Sequence, residues 1–368
     1  MDSEDLIDEL RRIGARYGGV PGTVLPTRPD VIIVRAGSVV VKAHAPGAER
    51  EPLVERMRAT AHPALRGIML EPVTEEVMTA GDRLVTVWPA GTPVDHADPD
   101  AAPWEAAARL LARLHAVPAR ALPPLRAAGG PARVAATVAR LGDRYAAELA
   151  VRRAFTCLPS LSPSGTNPPG TNPPGTNPPG TNPPGANPGG SPGTAPDGPS
   201  GTNPGGPAGT APHGSSGTAP GGPHGTPPGG FYGTAPGGLT HGDWHMGQMV
   251  RAPGEWILID IDDLGVGDQA WDLSRPAAWF AAGLLEPEVW HRFLGAYRAA
   301  GGIAVPPDGD PWERLEIPAQ AMTVQLAAAA VAAARREGRP LDGVEEVLVE
   351  SCLRIVRHRS ACHSVPTQ

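Results

Sequence analysis

The most informative segment of this chain is an octapeptide that reads His241-Gly242-Asp243-Trp244-His245-Met246-Gly247-Gln248. A short apolar run follows it at 256–259 and leads directly into Asp260. A short apolar run bounded by turn residues is typical of a buried strand. We therefore expect Asp243 and Gln248 on one loop and Asp260 at the end of the next strand, close enough to form one site.

Three of these side chains have the chemistry that phosphoryl transfer from ATP requires. The reaction needs a carboxylate beside the acceptor hydroxyl, and a second carboxylate with an oxygen-bearing partner to hold Mg²⁺ against the phosphates. We assign Asp243 to the acceptor hydroxyl, and Asp260 with the amide oxygen of Gln248 to Mg²⁺. Two further carboxylates, Asp262 and Asp263, are alternatives to Asp260; otherwise they face the substrate cleft and attract amino groups.

The same segment resembles the aminoglycoside phosphotransferase family, whose pattern is His-Gly-Asp-x-His-x-x-Asn followed by an Ile-Asp segment. Residues 264–273 are similar to the segment that follows the metal ligand in that family. The resemblance implies an α+β, two-lobed protein-kinase-like fold, ATP and Mg²⁺ as cofactors, and a small-molecule hydroxyl as acceptor, by default that of an aminoglycoside-like amino sugar. Gln248 replaces the family's Asn and is similar to maltokinase-like relatives, so a maltokinase-like sugar kinase is an alternative. The resemblance also implies that His241 braces the catalytic loop.

Lys42 is the candidate cation of the N-terminal half. It ends the β-branched run 39–41, and the resemblance implies that it contacts the α- and β-phosphates of ATP. Its usual partner in kinases is a glutamate on the following helix. Glu49, Glu51 and Glu55 compete for that position, and the distance into the helix selects Glu55.

The segment 87–91 resembles the hinge whose backbone hydrogen-bonds adenine in kinases. We assign this nucleotide-binding role to Trp88, which ends a strand predicted at 83–88, and to Ala90, which follows it. A Gly-x-Gly-x-x-Gly loop is missing before Lys42. A non-catalytic pseudokinase or scaffold is therefore a further alternative.

Element patterns divide the chain into a small N-terminal lobe and a larger C-terminal one. Strand patterns dominate the predicted nucleotide-binding lobe, 1–91, which ends in the hinge, and helical patterns dominate the predicted catalytic and substrate lobe, 92–159 and 239–368. Between its two parts, residues 160–238 are rich in Gly, Pro, Thr and Asn, with Gly-Thr-Asn-Pro-Pro repeats. Such a composition buries too little apolar surface to offset its ordering entropy, so we predict a disordered insertion.

Composition and charge indicate which classes of partner and which cellular compartment to expect. The formal net charge of −7 argues against a nucleic-acid partner bound through its phosphates. Three scattered cysteines suggest a reducing cytoplasm, and the acidic N-terminus lacks a signal-like pattern. The alanine-rich run at 326–334 is too short to span a bilayer, so we expect no membrane partner. The oligomeric state is not predicted.

Overall fold

An antiparallel sheet forms the N-terminal part of the computed structural model, which describes residues 3–27, 30–95, 102–159 and 237–363. Helix α1 (Ser3–Gly18) covers one face of this sheet, and Leu6 and Leu10 on one side of the helix pack against Val34 and Val41. The strand order is β1-β2-β3-β5-β4. The strands are β1 (Thr23–Leu25), β2 (Ile32–Ala36), β3 (Val39–Ala43), β4 (Met78–Ala80) and β5 (Arg83–Pro89).

The central hairpin of the sheet, β2–β3, follows the sequence pattern. Its register pairs Val34 with Val41, and its turn contains Gly37 with φ +58°. Glycine suits this turn because it adopts positive φ without a Cβ penalty. The predicted strand at 83–88 is also confirmed, as β5. It pairs with β3, so that Lys42 lies opposite Thr86.

Two small sheets hold the segments that carry the predicted site. Strands β6 (Thr92–Pro93), β8 (Met249–Ala252) and β9 (Glu255–Leu258) form one sheet; β7 (Gly238–Thr240) and β10 (Gly265–Gly267) form the other. The octapeptide therefore lies between β7 and β8, and Asp260 lies between β9 and β10. Of the predicted insertion, residues 160–236 lie outside the described residues, and Gly238 already belongs to β7.

Helices make up most of the C-terminal part, as predicted. Helices α4 and α5 lie within 92–159, the first part of the predicted helical lobe. The helices are α2 (Arg50–Thr60) beside the N-terminal sheet, α3 (Trp104–Ala116), α4 (Gly130–Ala139), α5 (Ala146–Cys157), α6 (Ser274–Ala282), α7 (Pro287–Ala299), α8 (Trp312–Glu337) and α9 (Gly343–His363). The α+β fold with a β-rich N-terminal part and a helical C-terminal part is thus confirmed.

Helix α8 is central to this helical part, where it packs against α4, α5, α6 and α9. Among the described helices it alone is long and apolar enough to cross a membrane by length and composition, but 67% of its apolar window is buried inside the protein. Such burial is typical of the core helix of a globular fold. Aromatic side chains complete the neighbouring core, in which Trp244 of the octapeptide stacks on Phe293 with ring centroids 5.6 Å apart.

Candidate active site

The backbone of the octapeptide is held by one buried carboxylate. Asp272 accepts the backbone N–H of His241 at 2.7 Å and that of Gly242 at 2.8 Å. Gly242 has φ +86°, and a Cβ there would overlap the backbone carbonyl of Asp263. Only glycine fits this position, because both the dihedral angle and the space exclude a side chain. This places the next residue, Asp243, at a defined point of the loop.

His241 joins the two loops of the site. Its imidazole Nε2 donates to the backbone carbonyl of Ile259 at 2.8 Å, one residue before Asp260. This is a bracing contact of the kind that the family resemblance implies. The carboxylate of Asp272, which holds the backbone of the same histidine, also accepts Nε2–H of His115 at 3.0 Å.

Asp243 is bound by two arginines. Its Oδ2 accepts from Nη1 of Arg133 at 2.5 Å, and its Oδ1 accepts from Nη2 of Arg275 at 3.1 Å. The second terminal nitrogen of Arg133 pairs with the carboxylate of Asp263. Asp243 is only 8% exposed, so charge pairing rather than hydration satisfies its carboxylate.

Gln248 and Asp260 meet at the predicted metal position. The amide Nε2 of Gln248 lies 3.3 Å from Oδ2 of Asp260. Asp260 has φ +67° and is the only non-glycine residue with positive φ in the part of the chain that the structure describes. Aspartate tolerates this region better than most residues. Here its Oδ1 also accepts the backbone N–H of Asp262 at 3.1 Å, which stabilises the turn.

Lys42 brings a cation from the N-terminal sheet to these carboxylates. Its Nζ donates to Oδ1 of Asp260 and to Oδ2 of Asp262, both at 2.8 Å. Burial disfavours the ammonium, but the two carboxylates outweigh it and raise the pKa of Lys42. Burial likewise disfavours ionisation of Asp260, and the charge of Lys42 outweighs it, so that the pKa of this carboxyl lies below its ordinary value. The three groups are therefore charged near neutral pH.

His44, two residues after Lys42, completes this cluster. Its Nδ1 lies 2.8 Å from Oδ1 of Asp262, and its Nε2 lies 2.9 Å from Oγ1 of Thr86. Burial alone would raise the pKa of Asp262, yet Lys42 and His44 together hold it well below its ordinary value. Asp262, which the sequence offers as an alternative metal ligand, thus anchors Lys42 in the structure.

The structure does not bring Glu55 to Lys42. The Glu55 carboxylate lies 3.4 Å from Nε of Arg126, on the outer side of α2. Helix α2 contacts the segment after Asp260 through Arg56. The Nε of Arg56 donates to the backbone carbonyl of Leu264 at 3.0 Å. Asp262, together with Asp260, takes the place of a glutamate partner for Lys42.

The predicted hinge residues have specific partners as well. The backbone N–H of Ala90 donates to the carbonyl of Ser38 at 2.8 Å, so that it is already engaged. The indole Nε1–H of Trp88 donates to Oγ1 of Thr86 at 2.8 Å. The Oγ1 of Thr86 therefore contacts both Trp88 and His44. Trp88 is connected to the site by its side chain.

His245 is neutral at physiological pH. Burial and the nearby charge of Arg275 lower the pKa of His245 to about 4. Its Nδ1 accepts the backbone N–H of Gly247 at 3.1 Å, a bond that requires this nitrogen to be unprotonated. The imidazole therefore holds the short helical turn that carries Gln248, as a structural acceptor.

The donor set fits a magnesium ion. No group of three or more His, Cys, Asp or Glu positioned for a metal occurs within the described ranges. Mg²⁺, however, keeps several waters and is usually bound by one or two carboxylates together with substrate phosphates. A carboxylate and an amide at one point satisfy this requirement, once the amide of Gln248 is turned so that its oxygen faces the ion.

Three residues of the site were not predicted. His44 had a usable signal, because side chains two residues apart on a strand share a face and Lys42 was already assigned. Arg275 lies two residues after the segment 264–273 that resembles the phosphotransferase family, which is a weaker signal. Arg133 had none, because it comes from α4, 110 residues before Asp243 in the sequence.

Comparisons with known proteins support this architecture. No protein-family model matches the chain, and no curated protein matches its sequence. Its structure is similar to that of a choline/ethanolamine kinase family protein from Mesorhizobium loti, with a TM-score of 0.50 and 14% identity, covering 98% of this chain and 96% of that one. It is also similar to a thermostable mutant of aminoglycoside phosphotransferase APH(4)-Ia in ternary complex with AMP-PNP and hygromycin B. That match has a TM-score of 0.51 and 10% identity, and covers 96% of this chain and 99% of the other.

At these identities the likeness is one of fold. It extends over nearly the whole length of both proteins. The family resemblance that the octapeptide indicates is confirmed at this level: the chain has the fold of the aminoglycoside phosphotransferase and choline kinase structures.

Proposed function

We propose that this protein is an ATP- and Mg²⁺-dependent O-phosphotransferase that acts on a hydroxyl group of a small molecule. The observation that carries the proposal is the contact of Lys42 with Asp260, 2.8 Å apart, beside Gln248. It places a buried cation and a pair of oxygen ligands at one point of a fold found in small-molecule kinases. Such a set suits the triphosphate of a nucleotide.

Each residue has a distinct task in the proposed reaction. Lys42 binds the phosphates, and Asp260 with Gln248 would hold Mg²⁺. When bound, the ion offsets the charge of the β- and γ-phosphates. Asp243 orients the acceptor hydroxyl and accepts its proton as the new O–P bond forms and the bond between the γ-phosphorus and the ADP oxygen breaks. The proton then passes from Asp243 to solvent.

A cytoplasmic, small-molecule enzyme accords with the remaining observations. Cys157 and Cys352 are free thiols, as is usual for a protein of a reducing compartment. Adenine binding at the hinge 87–91 stays part of the proposal, although the N–H of Ala90 would have to exchange its bond to Ser38 for one to the base.

The test is ATP turnover against a panel of hydroxyl compounds that includes aminoglycosides, choline and maltose. Replacing a general base typically lowers turnover by about 10²–10⁴-fold, which is the expected effect of Asp243→Asn. Asp260→Asn is expected to abolish the Mg²⁺-dependent part of nucleotide binding. Asp308→Asn is the control, because Asp308 is exposed and lies 33 residues beyond Arg275, between α7 and α8. Undiminished turnover in Asp243→Asn would overturn the assignment of that residue.

A second comparison identifies the carboxylate that positions Lys42. Asp262→Asn is expected to weaken nucleotide binding at least about tenfold, since it removes a charge-assisted hydrogen bond to the ammonium. Glu55→Gln is expected to change it less than about threefold, because an exposed ion pair with Arg126 contributes little. Equal effects of both substitutions would restore Glu55 as the partner.

Nucleotide binding without transfer is the second candidate function. The observation in its favour is that both carboxylate oxygens of Asp243 accept from guanidinium groups, so a hydroxyl would have to share an oxygen that a guanidinium already contacts. The same panel separates the two functions. A non-catalytic protein would bind MgATP yet release no ADP with any acceptor, whereas the phosphotransferase releases ADP in proportion to phosphorylated acceptor.

A further inference from the structure

The acceptor side of the proposed site is dominated by two guanidinium groups, which we name the arginine pair, Arg133 and Arg275. Arg275 uses Nη2 to bind Asp243, and its Nε is buried without a hydrogen-bond partner among the described residues. Arg133 divides its two terminal nitrogens between Asp243 and Asp263. Arginine side chains that stand this close to a reacting carboxylate determine which charges an acceptor can bring.

The carboxylates that could attract an amino group are already paired. Asp263 contacts Arg133, and Asp262 contacts both Lys42 and His44. The sequence-based expectation that Asp262 or Asp263 attracts amino groups is therefore not supported by the geometry. An ammonium group near Asp243 would find these carboxylates already bound to cations, and the arginine pair would offer it no hydrogen-bond acceptor.

An anionic group on the acceptor would resolve the competition for Asp243. The planar fork of a guanidinium matches a carboxylate or phosphate through two parallel hydrogen bonds. If Arg275 bound such a group through its two terminal nitrogens, it would release Oδ1 of Asp243. That oxygen would then be free to accept the proton of the acceptor hydroxyl.

We propose that the acceptor carries a phosphate or carboxylate group in addition to its hydroxyl, and that the arginine pair binds this group. The inference rests on the proposed function and deepens it. It makes Arg275 a specificity-determining residue, and it distinguishes this site from one built for a polycationic acceptor. Binding of the anionic group at Arg275 is coupled to transfer of the hydroxyl proton to Asp243, because both depend on the same guanidinium.

The first experiment measures anion binding directly. The full-length protein, saturated with MgADP, is titrated with acetate and separately with inorganic phosphate, and binding is followed by calorimetry. At least one anion is expected to bind, and Arg275→Gln is expected to weaken it at least about tenfold, the loss of one charge-assisted hydrogen bond. Arg275→Lys, which keeps the charge, is expected to retain part of the affinity and shows that the site still folds.

The control is Arg140→Gln, because Arg140 is an exposed arginine at the end of the helix that carries Arg133. It is expected to bind the anions as the wild type does. Binding of the anions that is equal in wild type and Arg275→Gln, or absent from both, would overturn the proposal. The comparison of acetate with phosphate separates a carboxylate-bearing acceptor from a phosphate-bearing one.

The second experiment compares hexose acceptors that differ in the charge of one substituent. Glucose, glucosamine, glucuronate and glucose 6-phosphate form such a series, and each competes with the acceptor found in the hydroxyl panel. Inhibition or phosphorylation is expected to favour an anionic member, and Arg275→Gln is expected to lower the ratio of anionic to neutral activity at least about tenfold. A preference for glucosamine would contradict the inference. Binding of MgADP, measured by calorimetry before the anion titrations, does not depend on the charge of the acceptor. If MgADP did not bind, the proposed function would be contradicted instead.

Discussion

At the scale of single residues, the site depends on a backbone position that only glycine can occupy. Gly242 is such a position, because φ is +86° and a Cβ would overlap the carbonyl of Asp263. The chain contains a natural comparison. Gly254 has φ +87° but lies in open space, with no atom within 4 Å of a Cβ. The two glycines share the dihedral requirement and differ only in the space available.

We predict that Gly254→Ala costs about 1–2 kcal/mol in the free energy of unfolding, the usual penalty for a side chain in the left-handed region. Gly242→Ala should cost at least about 2 kcal/mol more, because the overlap adds overpacking to the same penalty. Denaturant unfolding of both variants measures the difference. Equal costs would show that the loop relaxes around a methyl group and that Gly242 is not needed for space.

His245 gives the protein a defined response to acid. The unfolded chain binds a proton on this imidazole near its ordinary value of 6.5, whereas the folded protein binds it only near pH 4. Between these values the unfolded state holds more protons, so the free energy of unfolding must fall as the pH falls. The full stability is present above the unfolded pKa and is lost on acidification towards about pH 4.

We predict that His245→Asn reduces this acid sensitivity, since an amide oxygen can still accept the N–H of Gly247 but does not titrate. The difference between wild type and variant should change by up to about 3 kcal/mol between neutral pH and pH 4, at about 1.4 kcal/mol per pKa unit. Denaturant unfolding across this range measures it. The exposed His291 is the matched control, and a parallel pH profile for His245→Asn would contradict the prediction.

At the scale of elements, a chain of buried hydrogen bonds connects two helices to the octapeptide. The hydroxyl of Tyr297 on α7 lies 2.7 Å from Nδ1 of His115 on α3, and the imidazole passes the connection to Asp272. The same hydroxyl accepts the backbone N–H of Ala304 at 3.0 Å. Burial raises the pKa of Tyr297, so its hydroxyl stays neutral and donates to His115 while accepting from the backbone.

We predict that Tyr297→Phe lowers the free energy of unfolding by about 1–3 kcal/mol, because it leaves a buried imidazole nitrogen and a buried N–H without partners. Thermal and denaturant unfolding check this value. Tyr145→Phe is the control, since Tyr145 is 57% exposed and its hydroxyl can be replaced by water. A cost for Tyr297→Phe no larger than that of the control would mean that the chain of bonds contributes no net stability.

At the scale of the whole molecule, the described core residues come from the parts of the chain on both sides of the Gly- and Pro-rich segment. All described core residues belong to the unit formed by Met1–Pro163 and Thr234–Gln368. The composition of the intervening segment offers little apolar surface to bury. The proposed division into 1–91, 92–159 with 239–368, and an insertion at 160–238 therefore makes a direct prediction about what can be removed.

Replacing residues 164–233 by a Gly/Ser linker of about 20 residues should leave the unfolding midpoint and MgATP binding of the protein within experimental error. Differential scanning calorimetry and nucleotide titration measure the two properties. The uncut chain treated in parallel is the reference. A lower midpoint would show that the segment contributes to the core, and loss of a binding partner with both properties intact would favour the scaffold alternative.

The sequence by itself determined the fold class and named the candidate groups of the proposed site, because both follow from short-range patterns. Each of these patterns spans only a few residues. They are the hairpin that contains Lys42, the octapeptide with Asp243 and Gln248, and the strand before Asp260. Local periodicity and turn chemistry act over that same range, so that these elements could be recognised before any contact was known.

Only the tertiary structure decided which charges meet. Arg133 reaches Asp243 across 110 residues, and Lys42 reaches Asp262 across 220, in place of the nearby Glu55. Such pairings depend on how α4 and the N-terminal sheet pack around the two loops. A charged side chain carries no sequence signal of its partner, because Coulomb attraction acts through space and is independent of chain order.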